Sequence, residues 1–398
     1  MAPIPRLRAY SGPALLSYGF RPFFLLGALY AGGEVLVWLP LLYGDIAIST
    51  VFPPRDWHVH EMLYGYLPAV MTGFLLTAIP NWTGRLPIQG APLLVLVATW
   101  VAGRVAIAVS GLTGWFPAAV VDGAFLVLVA AAIAREIIVG KNWGNLKVVA
   151  VVTVLAAGNI AFHLEVHVLG SAEYSIRLGI AAFVTLLMLI AGRIIPSFTR
   201  NWLARENPGR LPAPFGRFDT IAIMVSAAAL LVWVCVPATR ITGAALAVAA
   251  LAVGGALQAA RLLRWAGDRT GREPLLLVLH IGYAFVPVGF LLLAAASFDL
   301  VPASAGIHAW MVGGVGTMTL AVMTRTSLGH TGRGLTASLA TQLIYAAVLL
   351  AAVARIGAAL EPRWNEPLLQ VAAFAWAAAF LGFAIVYAPI LCQPRQPA

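Results

Sequence analysis

Seven histidines carry most of the chemistry that this sequence could perform. Imidazole nitrogens are suitable ligands for copper, for zinc and for haem iron. Each histidine lies within or beside a long apolar run, and none lies in an ordinary polar loop. We therefore treat all seven as candidate metal ligands: His58, His60, His163, His167, His280, His308 and His330.

The spacing of four of these histidines indicates how they could be used. His163 and His167 are four residues apart, so on a helix they share one face and could bind a single copper or zinc ion together. His58 and His60 would project roughly 200° apart on a helix, so we expect them to serve different centres or different coordination shells. Glu61 is three residues from His58, close enough to orient it or to relay protons.

The composition indicates that membrane helices position these residues. Hydrophobic residues make up 61% of the 398 positions, charged residues make up 10%, and the mean hydropathy is +0.91. A soluble protein carries roughly 25% charged residues, and a spanning helix needs about 20 apolar residues. We predict an all-α, polytopic membrane protein with about twelve spans, at 20–43, 58–80, 91–110, 116–137, 147–169, 174–196, 219–238, 241–263, 274–297, 303–324, 336–357 and 367–391.

Several other classes of protein do not fit the sequence. The N-terminal stretch lacks an apolar core followed by a small-residue cleavage site, so the first span is expected to act as the insertion signal. Cys235 and Cys392 lie far apart, which disfavours a disulfide scaffold, an iron–sulfur cluster or a thiol redox centre. The net charge of +10 comes from Lys and Arg residues between apolar runs, so membrane topology explains it better than nucleic-acid binding.

The distribution of basic residues predicts the orientation in a bacterial inner membrane. With a cytoplasmic N-terminus, 19 of the 25 Lys and Arg residues lie on the cytoplasmic side, as the positive-inside rule requires. Both termini are then cytoplasmic. His58, His60, His163, His167 and His308 all fall in the periplasmic half, where they could converge from three spans. His280, nearer the cytoplasmic side, could belong to a second centre or only pack, and His330 lies at the cytoplasmic rim.

A short internal repeat predicts three four-helix units within one membrane domain covering 1–398, at approximately 15–140, 141–270 and 271–391. The stretch Thr83-Gly84-Arg85 recurs 248 residues later as Thr331-Gly332-Arg333, and at the same offset His60 coincides with His308. The middle copy has Ile176 at this position, so the repeat is functionally asymmetric.

Charged residues in or near the spans are further candidates, because charge inside a bilayer is costly. Glu61 and Glu165 are the candidate catalytic residues, and with Glu34 and Asp122 they could form a proton path. A carboxylate paired with a neighbouring Arg or Tyr is the simpler alternative. Arginines recur at the predicted inner ends of spans, where they could contact lipid headgroups or pair with haem propionates; they are Arg85, Arg193, Arg325 and Arg333.

Four stretches together resemble the NnrS family. They are Tyr18-Gly19-Phe20-Arg21-Pro22-Phe23-Phe24, His58-Val59-His60-Glu61, the run from Gly73 to Arg85, and the run from Met323 to Arg333. The resemblance spans nearly the whole chain in the right order. It implies a twelve-helix bacterial membrane protein that contains b-type haem and copper and is linked to nitric oxide metabolism, denitrification and relief of nitrosative stress.

Three functions remain open from the sequence. The first is redox chemistry on nitric oxide or binding of it at a buried metal site, as in a nitric oxide reductase-like oxidoreductase. The second is transport, since twelve spans and a repeat are common among carriers, and the third is handling of a metal or haem. The sequence has no cytochrome c motif and no flavin or nicotinamide site, so electrons would come from quinol or a partner cytochrome.

Overall fold

In the part of the chain that the structure describes, twelve helices are long and apolar enough to cross a membrane. The computed structural model describes residues 10–235 and 241–396, and no strand occurs among them. The helices are α1 (Phe20–Tyr43), α2 (Pro54–Thr83), α3 (Ala91–Ala108), α4 (Trp115–Val139), α5 (Trp143–Leu169), α6 (Tyr174–Glu206), α7 (Arg217–Cys235), α8 (Ala245–Arg269), α9 (Pro274–Ala296), α10 (Ala303–His330), α11 (Leu339–Leu360) and α12 (Pro362–Cys392). The prediction of an all-α protein with about twelve spans is confirmed, and the chain is a multi-pass membrane protein.

Two helix ends differ from the ends of the predicted spans, because charged residues or a proline occur there and interrupt the apolar run. Helix α6 continues ten residues beyond the predicted end at 196, to Glu206. Hydropathy falls in this extension because of Arg200 and Arg205, although arginine is a good helix former. Helix α2 begins at Pro54, four residues before its predicted start. Proline suits the first turn of a helix because its missing N–H would have no partner there.

Helices α2 and α10 share an unusual backbone. In α2 an α-helical turn, Pro54–His60, is followed by a π-helical segment, Glu61–Tyr66. In α10 the same sequence of elements occurs as Ala303–His308 and Ala309–Gly316. Helix α6 is α-helical throughout. The resemblance of α2 to α10 accords with the repeat offset, while the division into three repeat units stays a prediction.

The chain forms two compact units. The first comprises the described residues within Met1–Gly179, Val322–Gly334 and Phe380–Ala398, and the second comprises those within Ile180–Ala321 and Leu335–Ala379. In the first unit α1 packs on α2, α3 packs on α4, and α4 packs on α5. In the second unit α8 lies between α7 and α9, and the π-helical segment of α10 packs on α9 and α11.

Candidate metal centre

Three buried side chains from three helices of the first unit converge on one point. They are His60 of α2, Asp122 of α4 and His163 of α5, and their ligand atoms all lie within 4.8 Å of one another. Asp122 Oδ2 is 3.3 Å from His60 Nε2 and 3.1 Å from His163 Nε2. Two imidazoles and a carboxylate form a donor set that can hold one metal ion.

The π-helical segment of α2 begins directly beside the donor set. Residues that follow one another in an α-helix project about 100° apart, yet His60 and Glu61 are both fully buried and in contact with each other. The Nδ1 atom of His60 lies 2.8 Å from Glu61 Oε1. A carboxylate on the second nitrogen of an imidazole fixes the ring orientation and is a recurrent feature of metal-binding histidines.

Arg104 of α3 links the two buried carboxylates. Its Nη1 donates to Glu61 Oε2 at 2.6 Å, and its Nη2 donates to Asp122 Oδ1. The hydroxyl of Tyr30 also donates to Glu61. With neutral imidazoles the network holds two negative charges and one positive charge. A buried charge needs compensation, so the site has a place for one additional positive charge.

Asn159 of α5 lies one helical turn before His163 and completes the network. Its Nδ2 donates to Asp122 Oδ2 at 2.8 Å, which fixes the amide so that Oδ1 lies 3.0 Å from His60 Nε2. Both nitrogens of His60 therefore face acceptors, and without a metal the ring must carry two N–H donors and a positive charge. A metal ion at Nε2 would take the place of that proton.

The donor set fits a metal ion better than it fits haem. His163 Nδ1 is buried without a hydrogen-bond partner. Phe52 packs on both His60 and His163, and Phe162 packs on His60, with ring centroids 4.9 to 5.3 Å apart. These rings exclude water from the donors. Haem iron takes its equatorial ligands from the porphyrin, whereas here three protein donors crowd around one point, which is the arrangement of a site for a single ion.

Two predicted ligands of the first unit lie outside this donor set. His58 is stacked on Trp38 with ring centroids 4.0 Å apart, and its Nδ1 lies 2.9 Å from Glu34 Oε1. His167 is stacked on Trp115 at 4.2 Å. His58 and His60 thus belong to different surroundings. Binding of one metal by His163 and His167 together stays a prediction.

The other three histidines have separate contacts. In the second unit His280 Nε2 lies 2.9 Å from the Thr199 hydroxyl, and His308 Nδ1 donates to the Ser304 carbonyl at 2.7 Å. In the first unit the His330 ring packs on Tyr18 and Phe20. A shared role of His308 and His60, and metal binding by His280 and His330, stay predictions.

The predicted catalytic and cofactor residues have identifiable partners. Glu165 accepts hydrogen bonds from the backbone N–H groups of three consecutive residues, 173–175, and so caps the first turn of α6. Arg85 Nε donates to Glu136 Oε2 at 2.5 Å. Arg333 Nη2 lies 3.4 Å from Gln393 Oε1, and Arg325 is partly buried on α10. A proton-transfer role for Glu165 and propionate pairing by these arginines stay predictions.

Sequence reasoning did not assign a role at this site to Arg104, Asn159 or Tyr30. The sequence did contain a signal for Arg104, because Arg104 and Asp122 are opposite charges on neighbouring spans and could pair. Asn159 was overlooked because it is neutral, although its spacing of four residues from His163 places both on one helix face.

Comparison with known proteins agrees with the motifs of the sequence. No curated protein matches the chain. The family model described as NnrS protein matches residues 14–395. Since this match covers nearly all of the 398 residues, the chain belongs to the NnrS family.

Proposed function

We propose that this protein is a haem- and copper-containing protein of the bacterial inner membrane that binds or reduces nitric oxide and so relieves nitrosative stress. Membership of the NnrS family supports the link to nitric oxide. The observation that carries the proposal is the buried donor set of His60, Asp122 and His163 within a membrane protein. Nitric oxide is small and neutral, so it can reach such a site through the lipid without a pore.

We assign copper to this donor set. Imidazole nitrogens suit copper, and Asp122 supplies an anionic oxygen between the two rings. Bound copper would supply a redox-active site for nitric oxide. The protein's own part is to hold the donors: Arg104 fixes the Asp122 carboxylate, and Asn159 holds Asp122 on the side that faces His60.

His58 is the residue that would best hold a haem. Its Nδ1 is oriented by the Glu34 carboxylate, so its Nε2 would be the atom that holds the iron. Its side chain is 19% exposed, unlike the fully buried side chain of His60. A partly accessible imidazole allows a large planar group to approach, which the enclosed donor set does not.

Reduction of nitric oxide would need protons and electrons. Glu61 contacts His60 directly and is the nearest candidate to deliver a proton to the donor set, with Glu165 closer to the surface. Electrons would come from quinol or a cytochrome. Binding of nitric oxide without reduction needs neither protons nor electrons. Measuring whether nitric oxide is turned over therefore distinguishes reduction from binding.

Spectroscopy and elemental analysis of the purified protein test the proposal. We expect a Soret band, copper at about one equivalent, and a spectral change when nitric oxide is added to the reduced protein. A colourless preparation without metal would contradict the proposal and favour a transporter. Copper that exchanges freely with a chelator, with no response to nitric oxide, would favour metal handling.

A further inference from the structure

The first unit contains a second polar site, far in sequence from the donor set. We define the basic cluster as Arg21 at the start of α1, His330 at the end of α10, Arg333 three residues after it, and Arg395 after α12. Arg21 Nη1 and Arg333 Nη2 both lie within hydrogen-bond distance of Gln393, and the Arg395 side chain lies beside Gly332, which stands between His330 and Arg333 in sequence. All four come from ends of membrane-spanning helices that the positive-inside rule places at the cytoplasmic surface.

The basic cluster has no acidic partner in the part of the chain that the structure describes. None of the ion pairs found there involves Arg21, Arg333 or Arg395. Like charges held together are destabilising, and the cost rises when they are shielded from water. Arg21 is 3% exposed. Because water cannot reach this charge, a bound anion would stabilise the cluster.

Arg21 and Arg333 differ in how their donors are used. Arg21 Nη1 donates to the carbonyls of Leu391 and Gln393 at 2.6 and 2.7 Å, which lie in the last turn of α12 and just after it. Arg333 Nη1 is buried without a hydrogen-bond partner, and so is the Oγ atom of Ser327, six residues earlier in the chain and within α10. Arg21 therefore ties α1 to the end of α12, whereas Arg333 has a donor available for a ligand.

The surroundings hold the basic cluster in place. The rings of Tyr18, Phe20 and His330 lie 5.6 to 5.7 Å from one another. Burial raises the pKa of Tyr18 to about 12, so its hydroxyl remains a neutral donor. Gln396 N donates to Thr331 O at 3.0 Å and fixes the segment after α12 beside α10.

We propose that the basic cluster binds the phosphate group of an anionic phospholipid. Arginine is suited to phosphate because its planar fork of donors matches the phosphate oxygens. A phosphate would neutralise the cluster and accept from Arg333 Nη1. A lipid is the source we favour because the cluster lies at helix ends, at the depth of the headgroups, where basic pockets between helices hold anionic lipids.

The test compares lipid binding by the full chain and two variants. The protein is placed in nanodiscs of phosphatidylcholine that contain increasing fractions of phosphatidylglycerol, and retained lipid is counted by native mass spectrometry. We expect the wild type to retain phosphatidylglycerol in preference to phosphatidylcholine, and Arg333→Gln to bind it about tenfold more weakly, as loss of a charged hydrogen bond implies. Arg135→Gln is the matched control, since Arg135 is an exposed arginine at the same predicted face and pairs with Glu136.

The outcomes separate the possible anions. Equal retention by the wild type and Arg333→Gln would overturn the proposal. The thermal unfolding temperature is also measured with inorganic phosphate. If phosphate raises this temperature while the protein shows no preference for phosphatidylglycerol over phosphatidylcholine, the assignment to lipid is overturned. Loss of haem from Arg333→Gln with unchanged lipid binding would show that the anion is a haem propionate. Copper content is measured in parallel; because it depends on the donor set and not on the basic cluster, the two proposals can fail independently.

Discussion

His163 and His167 are one helical turn apart on α5, yet only His163 contacts Asp122. Replacing His163 with Ala should weaken copper binding by at least about a hundredfold, because loss of a ligand should exceed the 10–100-fold effect of losing an outer-shell partner. His167→Ala should retain copper, since His167 stacks on Trp115 instead. Competition with a copper chelator measures both affinities. Equal losses in the two variants would show that the two histidines bind one ion together, as their spacing predicts.

Arg104 compensates two buried carboxylates at once. Replacing it with Leu removes the guanidinium that contacts both Glu61 and Asp122, and the protein should lose roughly 3–5 kcal/mol of stability, the typical cost of breaking a buried ion pair. Thermal unfolding in detergent measures the loss. The double variant with Arg104→Leu and Glu61→Gln should recover part of it, because one unpaired charge is then absent. An Arg104→Leu protein as stable as the wild type would contradict this account of the network.

The sequence predicted the type of chemistry at this site but not its partners. Two of the three donors were among the candidate ligands, because imidazole is rare in apolar spans. Asp122 was recognised as a membrane carboxylate without a link to a histidine. Its role depends on α4 packing on α5, which no local pattern encodes. Arg104 and Asn159 act through contacts 18 to 99 residues away in sequence, and such contacts become visible only once the helices are packed.

The π-helical segment of α2 sets the rotation of His60 relative to the rest of the helix. Deleting Met62, its least buried residue, should convert the segment to a regular α-helix and turn the preceding residues by about 100°. His60 would then leave the donor set, and copper should be lost while the helical content is retained. Met62→Ala keeps the length and should keep the copper. Elemental analysis and circular dichroism measure the two properties, and a deletion protein with full copper would refute this role of the segment.

Hydropathy was sufficient to predict the number of helices but not their internal form. Each span is recognisable as a long apolar run, because polar residues are costly in lipid. All twelve spans were therefore predicted from the sequence. A π-helical turn has the same composition as an α-helical one and leaves no trace in hydropathy. The repeat offset was the one available hint, because it aligned His60 with His308, each of which immediately precedes a π-helical segment. The extension of α6 was missed because its surface is charged.

The orientation of the whole molecule decides from which side the donor set receives protons. Nineteen of 25 basic residues at one face predict that both termini are cytoplasmic, which puts His60, near the start of α2, in the periplasmic half. Fusions of a periplasmic reporter after Cys392 should be inactive, whereas fusions between α5 and α6 should be active. The reverse pattern would place His60 in the cytoplasmic half and move the basic cluster to the periplasmic surface. Protons for nitric oxide reduction would then have to come from the cytoplasm.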